Sequence, residues 1–338
     1  MYLCTTFRIY PTKIQDAILC NLIDNFSIEI NKVIDCYIRN KQVVDVRFNE
    51  ISNSIPWDSK IEVLKIAKID FVKMMESNKE EAKIRYNFCK WTNHNFKYFE
   101  DQKLLIQTFQ KEVMLIDVFC NDFTKNIINS NKLTSLRIYK KKNKWIGTFT
   151  YDYLPELNHF ENIMGIDLGI KVPAVAVTST GKIRFFGNGR QKRYIHTQQK
   201  KYHRNVSLQR TSTDKKNTVN WSNKLRDIDH KISKNIIEFA KSENVKTIKL
   251  ENLVKLQSRN SKIESVNTWS YHRLLTFIMY KAEKEGMHVQ LINPKNTSKK
   301  CPKCSKINNL VGRRYLCNCG YSNHRDIVGA INILNTQL

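Results

Sequence analysis

The sequence predicts an α+β chain of more than one domain, and three observations carry that expectation. Its 338 residues exceed what one small core organises. The hydrophobic period changes along the chain from helical to alternating and back. An apolar run holding a single carboxylate, NIMGIDLGIKVPAVAV at 162–177, opens a series of alternating strands and helices.

Lysine and arginine number 57 against 31 acidic residues, a net charge of +26. With 41% hydrophobic and 10% aromatic residues the chain has material for folded cores, so the charge belongs to a globular protein and not to a basic tail. A polyanion is the expected partner: nucleic acid first, an anionic membrane surface second. MYLCTTFRIYPTK at the start lacks the uninterrupted apolar stretch of a signal peptide, and no later segment has the ~18 consecutive apolar residues of a membrane span. The expectation is a soluble cytosolic protein with no membrane partner. Of nine cysteines, Cys4, Cys20, Cys36, Cys89 and Cys120 are scattered and read as packing residues, whereas Cys301, Cys304, Cys317 and Cys319 cluster.

CTTFRIYP alternates like a strand and stops at Pro11. Residues 12–40 and 59–79 then carry helical spacing, the second through Ile61, Leu64, Ile66, Ile69 and Val72, which predicts an edge strand followed by a small helical bundle. From 84 to 155 the period moves towards two, in LLIQTF, VMLIDVF, SLRIY and WIGTFTY, as in a meander or barrel. The turn KKKNK puts Lys140, Lys141, Lys142 and Lys144 between Tyr139 and Trp145, either as a solubilising tip or as a nucleic-acid contact.

Three strands follow, IMGIDLG, AVAVTS and KIRFFG, the last two joined at Thr180 and Gly181. Between Arg190 and Lys216 nine basic residues face one acid; Arg190, Lys192, Arg193, Lys200, Lys201 and Arg204 are candidate phosphate contacts. A helix over 219–243 carries a core stripe of Leu225, Ile228, Ile232, Ile236 and Ala240. VKTIKLENL is the fourth strand, with Glu251 near its end. A helix at 269–285, the strand MHVQLIN, the cysteine cluster and the helix NHRDIVGAINIL close the chain.

That order of elements is the order of the ribonuclease H fold, in which the first and fourth strands are parallel neighbours. Asp167 and Glu251 then share the carboxyl edge of the sheet, where open sheets place ligands. Close carboxylates repel unless a cation neutralises them. Asp326, early in the last helix, supplies a third. Hard oxygen ligands suit Mg²⁺ or Mn²⁺, and two such ions ~4 Å apart can hold a scissile phosphate. Each acid has a plainer reading: a loop cap for Asp167, a strand-ending acid for Glu251, a helix-dipole residue for Asp326. GIDLG also opens the sugar-kinase and chaperone ATPase fold, but that fold needs glycine-rich phosphate loops, and ten glycines without a cluster do not supply them.

CPKC at 301–304 followed by CNC at 317–319 presents four thiolates from two turns, as in a zinc ribbon with one structural Zn²⁺. The second half is one residue short of CxxC, so either its turn is tighter or His324 replaces a sulfur; four unrelated thiols are the alternative.

TTFRIYPTKIQ, MGIDLGIKVPAVAV, KIRFFGNGRQKRY, DIDHKISKNIIEFA, KLENL, WSYHRLLTFIMYKAEKEGM, TSKKCPKC and CGYSNHRDIVGAINIL together resemble the TnpB family, transposon-encoded relatives of type V CRISPR effectors, along nearly the whole chain. The resemblance implies an RNA-guided DNA endonuclease whose partners are a guide RNA and double-stranded target DNA, with a transposase encoded nearby. It implies a wedge β-barrel at 1–10 and 84–160 carrying a helical recognition domain at 11–83. It also implies a RuvC nuclease domain at 161–294 and 321–338, interrupted by a zinc ribbon at 295–320. Asp167, Glu251 and Asp326 match the three RuvC acids. Val328 stands where many members carry Asn, and His324 where many carry Asp. Tyr194, Tyr202 and Trp221 are candidates to stack on bases, with core packing the alternative for Trp221. Two rival functions share these features: a nuclease-inactive RNA-guided DNA-binding repressor, and a guide-independent zinc-ribbon DNA-binding protein assisting a transposase.

Overall fold

The computed structural model describes residues 1–76, 84–109, 112–155, 160–208, 220–252, 265–293, 295–308 and 312–336. The chain divides into two units, Met1–Tyr153 and Leu154–Leu338. Among the described residues no helix is long and apolar enough to cross a membrane.

The first unit opens with β1 (Tyr2–Tyr10), whose alternation buries Thr5, Phe7 and Ile9. Beyond Pro11, Thr12 and Gln15 exchange side-chain and backbone hydrogen bonds in a capping box that starts α1 (Lys13–Asn40). Lys41 ends that helix in the left-handed region at φ 54°. The second helix, α2 (Ser59–Glu76), corrects the expected stripe. Its buried face is Val63, Ala67, Phe71 and Met74, while Ile69 and Val72 are exposed. A helix rich in apolar residues carries more than one such stripe, and packing chooses between them: Phe71 sits edge-on against Tyr37 of α1 at 5.6 Å. Residues 77–79, expected to continue the helix, lie outside the described residues.

Six further strands follow: β2 (Phe88–Thr92), β3 (Phe96–Phe99), β4 (Lys103–Gln107), β5 (Val113–Phe119), β6 (Leu133–Lys141) and β7 (Lys144–Asp152), with the short α3 (Asp122–Ser130) between β5 and β6. The sheet order is β2-β6-β7-β1-β5-β4-β3, with antiparallel neighbours throughout. Although β2 and β3 take opposite edges, only a short turn closed by Asn95 N–H on the Thr92 carbonyl joins them. The edges must therefore come together, and the sheet rolls into a barrel. Trp91 on β2 donates across the seam to the Gln107 carbonyl at 2.7 Å, and Phe149 stacks on both Phe7 and Phe96 at the centre. One continuous hydrophobic cluster runs from this interior into α1 and α2, so the helical insertion shares the barrel's core.

The β6–β7 connection is a two-residue turn with Lys142 and Asn143 both at positive φ, matching the twist of a hairpin. Trp145 does not line its rim: it is buried and donates to Asp16, which also accepts from Lys140 at 2.7 Å.

The second unit comprises β8 (Asn162–Leu168), β9 (Ala174–Thr178), β10 (Ile183–Phe186), α4 (Gly189–Leu208), α5 (Trp221–Ser242), β11 (Val245–Glu251), α6 (Ser265–Lys284), β12 (His288–Ile292), β13 (Arg314–Leu316), β14 (Ser322–His324) and α7 (Arg325–Asn335). Its main sheet runs β10-β9-β8-β11-β12, with β11 parallel to both β8 and β12 and the other pairs antiparallel. The parallel pairing of β8 with β11 is the one anticipated from the element order.

Alternation splits the sheet's residues between two layers. Met164, Ile166, Leu168, Ile248 and Leu250 join Ile232 and Ile236 of α5 and Leu274 and Ile278 of α6 in one core. Gly165 and Asp167 face the other way, towards α7, which packs through Ala330, Ile327, Ile331 and Leu334 on Val175 and Val177. The approach is close: a Cβ on Gly165 would lie 2.4 Å from the Ala330 carbonyl oxygen and 2.5 Å from the Leu334 nitrogen. Both are backbone atoms of a packed helix, so Gly165→Ala should destabilise this unit by about 1–3 kcal/mol, read as a lower urea midpoint.

Candidate functional site

Asp167 is the next-to-last residue of β8 and Glu251 the last of β11. The parallel register pairs Leu250 with Ile166, so the two acids follow one another on adjacent strand ends. Asp326 lies in the first turn of α7, and one turn later Gly329 sits against Asp167; a Cβ there would meet the carboxylate oxygen at 2.8 Å. Glycine thus lets the helix that carries the third acid lie directly over the first. Glu251 is buried and accepts a hydrogen bond from Thr297 Oγ1, and the Thr297 carbonyl accepts from Asn332 of α7 at 2.6 Å.

The electrostatics single out Asp167. Burial, then the Glu251 charge, then the Asp326 charge push its carboxyl up to about 8, with Arg325 opposing. Burial also raises Glu251, against the hydrogen bond from Thr297. Asp167 thus feels the charges of both other acids. Burial and the charges of Asp167 and Asp326 raise the Tyr271 phenol on α6. Arg313 Nη1 lies 3.5 Å from Asp326 Oδ2.

Like charges held this close call for a cation, and an all-oxygen set suits Mg²⁺ or Mn²⁺. Among the described residues, however, the four cysteines are the group whose ligand atoms all lie within 4.8 Å of one another; the three acids are more widely spaced.

At the cysteines, Cys301 and Cys319 sulfurs are 3.7 Å apart and those of Cys304 and Cys317 3.5 Å. A tetrahedron of Zn–S bonds of ~2.3 Å has edges of about 3.8 Å, so these two separations suit zinc, and all four sulfurs lie within 4.8 Å of one another. The short CNC half-site closes because Gly320, at φ +82°, donates its N–H to the Cys317 carbonyl. The Cys319 N–H draws the Cys317 thiol down to about 6, favouring the thiolate. His324 is not recruited: its Nδ1 accepts from the Asp326 N–H at 3.3 Å and caps α7.

The basic candidates divide. Lys141, Lys142 and Lys144 are exposed at their hairpin tip, as are Arg190, Arg193, Lys200, Lys201 and Arg204 on α4. Lys140 is committed to Asp16. Lys192 turns inward to the fully buried Asp229, which also binds Arg273 Nη2 at 2.6 Å. That triad fastens α4 to α5 and α6. Tyr194 is exposed, and Trp221 packs against the core with Lys224 over its ring. Residues 209–219 of the basic segment lie outside the described residues. Sequence reasoning assigned no place to Gly329, Thr297, Tyr271 or Arg313. A small residue three positions after Asp326 was the visible signal for the first; the others depend on contacts between distant elements.

Residues 271–333, from α6 through α7, match the family model of the Cas12f1-like TNB domain. The chain is 30% identical over 260 residues to the TnpB-like protein MJ0751 of Methanocaldococcus jannaschii, covering 70% of this chain and 91% of that protein. It is also 30% identical over 217 residues to the CRISPR-associated endodeoxyribonuclease Cas12f1 of Sulfoacidibacillus thermotolerans, covering 57% of this chain and spanning 50% of that relative's length. In structure it is similar to a chain of a Cas12f1–sgRNA–target DNA complex, with a TM-score of 0.68 at 13% identity over 95% of this chain and 82% of that one. The fold is thus of the Cas12f type. The chain belongs to the TnpB family.

Two outcomes follow from this geometry. The raised folded-state pKa of Asp167 means that the folded protein holds a proton the unfolded chain has released. That contribution is complete below pH 3.8 and gone once the pH passes about 8. In chelator, the urea midpoint should fall across this window; Asp167→Asn should flatten the fall, and added Mg²⁺ should offset it. At the cysteines, atomic emission should find one zinc per chain, and clearly less after Cys317→Ser.

Proposed function

We propose that this protein is an RNA-guided DNA endonuclease of the TnpB type that hydrolyses phosphodiester bonds with divalent metal ions. The observation that carries the reading is that Asp167 and Glu251 end adjacent parallel strands while Gly329 sets the helix bearing Asp326 against Asp167. Relatives bearing endodeoxyribonuclease names, and a fold shared with a chain bound to sgRNA and target DNA, support it. The first unit would serve as wedge and recognition module, the five-stranded unit as the RuvC nuclease.

Asp167, Glu251 and Asp326 would hold the divalent metal ions. Bound magnesium supplies Lewis-acid stabilisation of the attacking and leaving oxygens. The chain's own part is to fix the carboxylates: Thr297 orients Glu251, the capped first turn of α7 sets Asp326, and Gly329 keeps the helix against Asp167. The guide supplies sequence choice by base pairing, so the exposed cations of α4 need only bind backbone phosphates. Three intact acids favour this reading over a nuclease-inactive repressor, and their placement over a guide-independent accessory protein.

The test is plasmid cleavage in Mg²⁺ by the protein with its co-purified RNA. The native chain should cut, and Asp167→Ala should bind equally but cut at least about a thousand-fold more slowly, the scale of several kcal/mol of transition-state stabilisation. Equal cutting by both would remove the catalytic assignment.

A further inference from the structure

The geometry points to a second nucleic-acid site beside the carboxylates: a polar pocket that receives one nucleotide of the DNA strand, its phosphate against Lys295 and Lys300. Naming the strand as DNA rests on the nuclease reading above; the pocket itself does not.

The pocket lies between the segment that enters the cysteine ribbon and the carboxyl end of α7. Its volume of about 470 Å³ exceeds what a lone phosphate needs and falls in the ~300–1,000 Å³ range of small-ligand sites. Every residue lining it is an asparagine, a lysine or a threonine. No carboxylate balances the two ammonium groups, and neither has an ion-pair partner among the described residues. Two unneutralised cations in a concavity select an anion. The asparagine amides, including Asn293 and Asn335 at the exposed rim, add donors and acceptors of the kind that read a base edge or sugar, which a simple anion would not require.

The walls are fixed in advance of any ligand. Asn332 Nδ2 donates to the carbonyls of Thr297 at 2.6 Å and Lys300 at 2.7 Å, joining helix to ribbon entrance. Asn296 turns the chain at φ 64°, and its carbonyl accepts from the N–H groups of Lys299 and Lys300. A helix carboxyl end is ordinarily a poor neighbour for an anion. Here Lys249 Nζ satisfies the Leu334 and Thr336 carbonyls at 2.9 and 2.8 Å, covering that negative end.

Thr297 connects the pocket to the chemistry. It lines the cavity while its hydroxyl donates to Glu251. A nucleotide seated here is therefore next to one seated at the acids, which makes the pocket a register stop for the strand being cut. Occupancy would also bear on Thr297, and through it on the orientation of Glu251.

The test is fluorescence anisotropy of a labelled single-stranded DNA oligonucleotide with the full chain in chelator, titrated at salt from about 50 to 200 mM. Replacing both lysines (Lys295→Gln with Lys300→Gln) should lower affinity about tenfold and reduce the slope of log K against log salt by about 1.4, the contribution of two single-strand phosphate contacts. Asn335→Ala keeps the charge, so it should weaken binding severalfold with the slope unchanged. Lys303→Gln with Lys306→Gln, on the ribbon outside the pocket, controls for the diffuse field and should change the slope less. A thermal melt of each variant establishes folding. An unchanged slope in the pocket variant, or an equal loss in the ribbon control, overturns the pocket. A larger loss with an RNA oligonucleotide than with DNA overturns the DNA assignment. No metal is present, so failure here leaves the nuclease reading standing, and a native chain that binds in this way yet never cuts in Mg²⁺ would overturn that reading alone.

Discussion

The approach of α7 to β8 is the constraint on which the rest of the second unit depends. Two glycines allow it, one on each partner. Gly165 removes a side chain that would strike the helix backbone, and Gly329 removes one that would strike the Asp167 carboxylate. Without both, the helix would ride higher by the thickness of a methyl group, and Asp326 would lift away from the strand ends. The site is thus set by two residues that make no chemical contribution of their own, a common consequence of close packing, where small volume changes displace whole elements.

The same helix joins the carboxylate-bearing layer to the cysteine ribbon. Thr297 and Asn332 hold the ribbon's entrance and α7 together, while His324 at its exit caps the first turn of α7 beside Asp326. A zinc ion at the four sulfurs would close the excursion between these anchors. Glu251, through Thr297, and Asp326 would then be oriented from opposite ends of one metal-locked segment, so that order in the ribbon would become order among the acids.

Much of this was legible in the sequence, for identifiable reasons. The five-stranded sheet was readable because its strands alternate or run apolar between clear turns, and because their order with the helices admits few topologies. Asp167 stood out because a carboxylate inside an apolar run must face something other than the core. The cysteine spacing disclosed the cluster, though the shortness of CNC left His324 in play until the Gly320 turn resolved it. Other features were hidden. The stripe on α2 could not be chosen from periodicity, since Phe71 is selected by Tyr37 on another helix. The α3 segment, NDFTKNIINS, is too polar and short to show a period, and its start depends on Asn121 capping the Thr124 N–H. Lys192 looks like its basic neighbours in sequence; only Asp229 and Arg273, brought in from two other helices, turn it inward.

That inward triad has a mechanical consequence. A carboxylate removed from water between an ammonium and a guanidinium tolerates no sliding, because withdrawing either cation strands a charge in a medium that cannot screen it. The basic helix is consequently a fixed rail and not a swinging arm. If a nucleic-acid strand engaged its outer cations, as proposed, it would have to conform to a track already laid, and the work of bending would fall on the polymer.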